Sequence, residues 1–353
     1  MEQSVNAQPA SLPARPTGVG VVPRTRFGFA LLVLRVFFTV LFRRLFRGPK
    51  HADWDLRFEV VVEIARTLMR RGFDAAVGSG RLAGGRGMTA AIPEALRARL
   101  RHELTTHAGL PTEIHTPEGW TPGGPTLLYL HGGGYVTCSP RTHRALISRI
   151  ATETGARCIA VEYRKAPAYP FPMPVDDALL AYRELLAAGV APQTLFVAGD
   201  SAGGGLTLAL LQRLRAEGDP LPRGAILLSP WVDLEGAGAS VRENAAFDYL
   251  TDEMLAYGAA AYVSGGDRRD PLVSAVHADL RGLPPLLVQT GGAELFLSEN
   301  EKLVARAREQ GVEVVHEVEP GMVHVYQAFA QFVPGAANRA FAGIGRFVRD
   351  RAV

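Results

Sequence analysis

Three short stretches and one acidic loop bring together residue types that can cleave an acyl bond. Gly199-Asp200-Ser201-Ala202-Gly203 sets a serine hydroxyl among small residues. A strand that turns abruptly into a helix needs them, because the residue at the turn is held in a cramped backbone conformation. His131-Gly132-Gly133-Gly134-Tyr135 follows an apolar run, and its glycines leave backbone N–H groups unshielded, as a developing oxyanion requires. The expected oxyanion donors are the N–H groups of Gly132, Gly133 and Ala202. A serine hydroxyl is a weak nucleophile until a base removes its proton and an acid orients that base. His324, after the turn Glu319-Pro320-Gly321-Met322, stands at the end of the last strand pattern and is the expected base, whereas His316 lies inside that strand. Glu294, after Gly291-Gly292-Ala293, falls between a strand end and a helix start and is the expected acid, with Asp270 as the alternative and Asp252 and Glu299 as weaker rivals. Asp200 reads as a brace for the serine turn.

These residues need a scaffold that delivers them to one edge. From Pro125 onwards apolar strand patterns (Thr126–Leu130, Cys158–Tyr163, Leu195–Ala198, Ala225–Ser229, Pro285–Gln289, Val312–Val318) alternate with helical spacing at Thr142–Thr154, Pro174–Ala188 and Ser298–Gln310. Such alternation predicts a mainly parallel sheet with helices on both faces and ligands at the C-terminal strand ends. Ser298 and Glu301 form a Ser-x-x-Glu capping pattern for the last of these helices. Residues 234–269 interrupt the alternation with helical content around Thr251–Val263, an insertion suited to a helical cap. Trp54–Arg71 and Ala90–His107 read as two further helices ahead of the sheet, the other part of that cap. The expected organisation is a leader over 1–23, a basic and apolar helix over 24–50, a helical cap part over 51–110 and a catalytic domain over 111–353.

The 353 residues are 47% hydrophobic, ample for a buried core. The formal charge of +3 is unevenly spread: residues 1–50 hold eight Lys or Arg against the single Glu2, and the remainder is net acidic. With no basic patch in that remainder, nucleic acid is excluded as a partner. Residues 27–42 are almost wholly apolar and are bracketed by arginines, with Arg35 in the middle. At 1.5 Å per residue they fall short of the roughly 30 Å bilayer core, so residues 27–47 suit peripheral membrane contact or a lid over an apolar cleft. Cys138 and Cys158 make no disulfide framework and fit a reducing, cytoplasmic compartment. No Walker-type loop and no Cys/His cluster at metal spacing occurs, so no metal or cofactor is expected.

The motif set resembles the hormone-sensitive-lipase-like branch of the α/β-hydrolase superfamily. The resemblance rests on His131-Gly-Gly-Gly-Tyr135, Glu162-Tyr163-Arg164-Lys165-Ala166-Pro167 with Phe171-Pro172 and Asp176-Asp177-Ala178, Gly199-Asp200-Ser201-Ala202-Gly203-Gly204, Ser229-Pro230-Trp231-Val232-Asp233 and Gly321-Met322-Val323-His324. It implies the α/β-hydrolase fold, with Ser201 as nucleophile and His324 as base, and with His131, Gly134 and Asp233 in supporting places. The family's usual acid is Asp before Pro-Leu, and this chain has Glu294-Leu295-Phe296 there. The family's His-Gly-Phe is His324-Val325-Tyr326. The expected activity is that of a serine carboxylesterase on small-molecule, lipophilic esters of short to medium acyl chain. A lactone hydrolase with the same machinery and a non-catalytic ligand-binding protein on the same fold are the alternatives.

Overall fold

The computed structural model describes residues 25–79 and 89–352, so the leader expected over 1–23 lies outside the described residues. In chain order it contains α1 (Arg26–Arg47), α2 (Leu56–Ser79), α3 (Glu94–Arg97), β1 (Leu100–His107), β2 (Leu110–Pro117), β3 (Thr126–Leu130), α4 (Arg144–Thr154), β4 (Arg157–Val161) and α5 (Met173–Ala187). There follow β5 (Leu195–Asp200), α6 (Ala202–Glu217), β6 (Gly224–Leu228), α7 (Ala239–Glu243), α8 (Asp252–Val263), β7 (Leu286–Gly291), α9 (Leu297–Glu309), β8 (Val314–Glu319) and α10 (Pro334–Arg349).

The strands form one eight-stranded sheet in the order β1-β2-β4-β3-β5-β6-β7-β8, parallel from β4 to β8 and antiparallel where β2 meets β1 and β4. The central strands β3, β5, β6 and β7 are buried along their whole length, which explains their unbroken apolar runs. Side chains still alternate in direction. Leu128, Leu130 and Val197 pack on one face against α5 and α6, while Leu127, Tyr129, Phe196 and Ala198 pack on the other against α4 and α10. Each such large side chain, once buried, contributes roughly 1.5–3 kcal/mol.

The helix expected over Ala90–His107 is not formed. Only Glu94–Arg97 is helical, and the chain then enters β1, which pairs with β2 from Leu100↔Pro117 to His107↔Leu110. Ala108 and Gly109 make the two-residue turn with φ of 53° and 72°, the double left-handed geometry that matches strand twist. The adjacent β-branched threonines Thr105 and Thr106 favour a strand here over a helix. The sheet therefore begins inside the segment expected to be helical. The capping pattern at Ser298 is also not realised: α9 starts at Leu297, and the Ser298 hydroxyl pairs with that of Ser240 at 2.8 Å.

Two helical pieces meet at the C-terminal strand ends. Trp54, just ahead of α2, donates its indole N–H to the Gly321 carbonyl, and Phe58 and Val62 pack with Ala293, Met322 and Val323. Farther along α2 the Arg66 guanidinium donates to the carbonyls of Ala245 and Ala246, each at 2.7 Å, and Phe73 meets Tyr257 of α8 edge to face. In turn α8 lies close on the glycine-rich loop after β3: a Cβ on Gly258 would stand 3.1 Å from the Gly134 carbonyl oxygen. α1 packs along α2, where Arg43 and Arg44 both reach the fully buried Glu59.

Candidate active site

At the end of β5 the chain reverses into α6 through Ser201, whose φ of 54° and ψ of −121° lie in a region that L-residues seldom occupy. Neighbouring packing enforces the turn. The Ser201 N–H donates to Leu228 at 2.8 Å and its carbonyl accepts from the Trp231 N–H at 2.9 Å. A Cβ at Gly203 would lie 1.9 Å from the Leu130 carbonyl oxygen, so only glycine lets β3 approach the first turn of α6. The serine hydroxyl thus sits at the N-terminus of a 16-residue helix, where the helix dipole favours negative charge.

Asp200 is held at this turn by partners that had no assigned role. One carboxylate oxygen accepts from the Tyr129 hydroxyl at 2.7 Å and from the Gly132 N–H at 3.0 Å, and the other pairs with His143 Nε2 at 3.2 Å. Burial alone would raise the Asp200 pKa, yet His143 and Tyr129 outweigh it and hold it at about 2. The same contact corrects the expectation for Gly132. Its N–H is committed to Asp200, whereas no acceptor among the described residues takes the N–H groups of Gly133, Gly134 and Ala202. His131 turns away from this space, stacks on Tyr163 at 4.3 Å and places its Nδ1 2.7 Å from the Gly132 carbonyl. Burial holds it neutral, well below the usual histidine range.

At the ends of β7 and β8 His324 and Glu294 come together. His324 Nδ1 lies 3.9 Å from Glu294 Oε1, with both residues buried. The second oxygen of Glu294 is fixed by the Gly291 N–H at 2.7 Å and by the Ser229 hydroxyl at 2.6 Å. Ser229 Oγ also accepts from the Val325 N–H at 3.0 Å. A single hydroxyl therefore ties the Glu294 loop to the His324 loop, and Ser229 sits between Leu228 and Trp231, the two residues that hold Ser201. Its φ of 45° and that of Val325, 44°, show the same left-handed strain as the serine turn. Phe296 packs edge-on against the imidazole at 5.0 Å. Burial alone would lower the His324 pKa, but Glu294, and behind it Asp248 and Asp200, more than offset this and raise it.

Asp248 is a second buried carboxylate beside the pair. Its oxygens accept from the N–H groups of Leu295 at 2.9 Å and Tyr249 at 2.7 Å, and the Tyr249 ring lies 6.0 Å from the His324 ring. Burial pushes its pKa up to about 6. The other carboxylates lie elsewhere: Asp270 accepts from the Leu272 N–H in its own turn, Asp252 is exposed in the first turn of α8, and Glu299 faces the Gly238 N–H. Burial and then Asp233 push the Glu299 pKa to about 8, while Asp233 itself accepts from the Glu235 N–H. His316, in β8, faces Thr290.

One cross-strand cluster was not visible as a spacing. His102, Glu113 and His115 converge because His102 and His115 are register partners in the β1–β2 hairpin. Arg144 already holds both Glu113 oxygens at 2.7 Å each, so a cation there would meet a guanidinium.

The chain is similar to known proteins in this arrangement and in sequence. The model of a family described by its alpha/beta hydrolase fold matches residues 127–328. An acetyl-hydrolase of Streptomyces hygroscopicus is 44% identical over 227 residues, which is 64% of this chain and 76% of that one. An esterase of Acinetobacter venetianus is 36% identical over 63% of this chain and 73% of its own length. A solved esterase from the bacterial hormone-sensitive lipase family superposes with a TM-score of 0.70 at 37% identity, over 92% of this chain and 99% of that one.

Proposed function

The chain belongs to the α/β-hydrolase fold family and is a carboxylic ester hydrolase, and from that premise we propose that it works as a serine esterase with Ser201, His324 and Glu294 as its triad. The buried His324–Glu294 pair, tied through Ser229 to the peptide that holds Ser201, carries this reading. Ser201 Oγ attacks the ester carbonyl carbon while His324 takes the hydroxyl proton, and Glu294 orients the imidazole and stabilises the imidazolium that results. The N–H groups of Gly133, Gly134 and Ala202, with the N-terminus of α6 behind them, receive the oxyanion. Each well-placed donor contributes roughly 3–4 kcal/mol to the transition state. His324 then protonates the departing alkoxide. A water, deprotonated by the same imidazole, attacks the acyl-enzyme and releases the carboxylic acid and the free serine.

α2 and the 234–269 insertion act together as the cap. Their contacts at Arg66 and Phe73 join two distant parts of the chain next to the base loop and the glycine-rich loop. Trp231 and Phe296 stack parallel at 5.8 Å, and Tyr135 stacks on Tyr262 at 3.7 Å under α8. The proposed substrates are lipophilic esters, and similarity to an acetyl-hydrolase supports short acyl groups.

The test is hydrolysis of nitrophenyl esters from acetate to palmitate by the wild type and by Ser201→Ala. Turnover should fall with chain length and drop by about 10⁴-fold or more in the variant. Unchanged turnover in Ser201→Ala would remove the serine from the mechanism, and a rise with chain length would reverse the assignment of acyl size.

A further inference from the structure

We propose that α1 docks the protein in the plane of an anionic lipid surface. The helix has two unlike faces. Leu32 and Val40 are buried against α2, whereas Phe27, Leu31, Leu34, Phe38, Phe42 and Leu45 are exposed by half or more of their surface. These six recur at i, i+4, i+7, i+11, i+15 and i+18, which places them on one stripe along the helix. Scattered exposed apolar residues are ordinary, but a contiguous aromatic stripe marks an interaction surface.

Charge selects the occupant. Between Glu2 and Asp53 the chain has no acidic residue, while Arg26, Arg35, Arg43, Arg44 and Arg47 belong to the helix. Arg43 and Arg44 hold Glu59 on the inner side, and Arg35 and Arg47 are exposed. A second copy laid stripe to stripe would bring two acid-free helices together and leave Arg35 without a carboxylate to answer it. Phosphate headgroups supply the missing negative charge, and Arg35, at the margin of the stripe, can bury its methylenes and extend its guanidinium to them. The 22 residues lie along the surface rather than through it, since no described helix is long and apolar enough to cross a membrane.

The docked helix is one element away from the chemistry. Glu59, clamped by α1, belongs to α2, whose leading Trp54 bonds the loop that carries His324. A lipid surface under α1 thus adjoins the cap through which lipophilic esters enter.

The experiment is sedimentation of the full chain with vesicles of phosphatidylcholine alone or with about 30% phosphatidylglycerol, at about 0.1 M and 1 M salt. The wild type should pellet with the anionic vesicles at low salt, and less at high salt or on phosphatidylcholine alone. The triple variant Leu34→Ser, Phe38→Ser, Phe42→Ser should lose about tenfold or more of the bound fraction. Its hydrolysis of nitrophenyl acetate without vesicles should be unchanged, which separates this surface from the catalytic reading. Wild type left in the supernatant, or a variant that pellets equally well, overturns the proposal. So does a wild-type dimer that the variant reduces to monomer without any vesicle binding, which would give the stripe to a second copy.

Discussion

The two walls of the candidate site are built differently. On the Ser201 side both carboxylate oxygens of Asp200 are engaged, its partners outweigh burial, and its charge is held with a pKa of about 2. On the His324 side two buried carboxylates, Glu294 and Asp248, crowd one imidazole; one oxygen of Glu294 and His324 Nδ1 have no hydrogen-bond partner at 3.9 Å, and Asp248 is pushed up to about 6. The difference separates two tasks. A strained turn that must present a hydroxyl is held still by a fully satisfied anion. An imidazole proposed to gain and lose a proton in each cycle sits among carboxylates that raise its pKa.

The largest effect should come from breaking the crowded side. Glu294→Gln keeps the shape and removes the charge that orients and stabilises the imidazolium, so kcat should fall about 10³–10⁴-fold. The neutral amide also withdraws a group that raises the His324 pKa, so what activity is left should have its acid limb at lower pH than the wild type. Steady-state kcat over a pH series checks both. A wild-type rate in Glu294→Gln would return the role of acid to another carboxylate, Asp248 beside His324 first.

Breaking the satisfied side should act on stability instead. Asp200→Asn leaves His143 facing an amide and removes one acceptor from the group shared by Tyr129 and Gly132, a loss of about 3 kcal/mol at pH 7. The sign follows from the depressed pKa: Asp200 stabilises the fold above the ordinary carboxylate pKa and loses that contribution as pH falls from about 4 towards about 2. Denaturant midpoints of wild type and variant should therefore differ widely at neutral pH and converge towards pH 2. Midpoints that differ equally at every pH would show that shape, and not charge, holds the turn.

The two walls were also unequally legible. Ser201, His324 and Glu294 stand in motifs at strand ends, and the central strands β3, β5, β6 and β7 show as apolar runs, because burial on both faces demands them. The bonds that complete the site cross long separations: Ser229 reaches Glu294 and Val325, Asp248 reaches Leu295, and His143 reaches Asp200. No spacing rule finds such pairs. Which of three successive glycines gives its N–H away depended on the Asp200 carboxylate, so Gly132 was misassigned from the row of glycines alone. The β1–β2 hairpin escaped for a local reason, since Ala108 occupies a left-handed position that Asn or Gly usually marks.

Asp248→Asn should give the smallest change and the sharpest distinction between the walls. Asp248 touches neither Ser201 nor His324 by a hydrogen bond, but its charge is one of those that raise the His324 pKa. Without it the acid limb of kcat/KM should move to lower pH by a few tenths of a unit, with kcat on the plateau within about threefold. The amide keeps one acceptor for the N–H groups of Leu295 and Tyr249, so the loop before α9 holds its course. Stability should respond in the opposite sense to Asp200. A carboxyl whose pKa is raised in the fold favours the native state below its ordinary value and loses that contribution as pH rises from about 4 to about 6. The wild-type unfolding midpoint should decline across that window more than the variant's does. An acid limb left in place, with both midpoint curves parallel, would make Asp248 a structural acceptor alone and leave Glu294 as the one carboxylate that His324 senses.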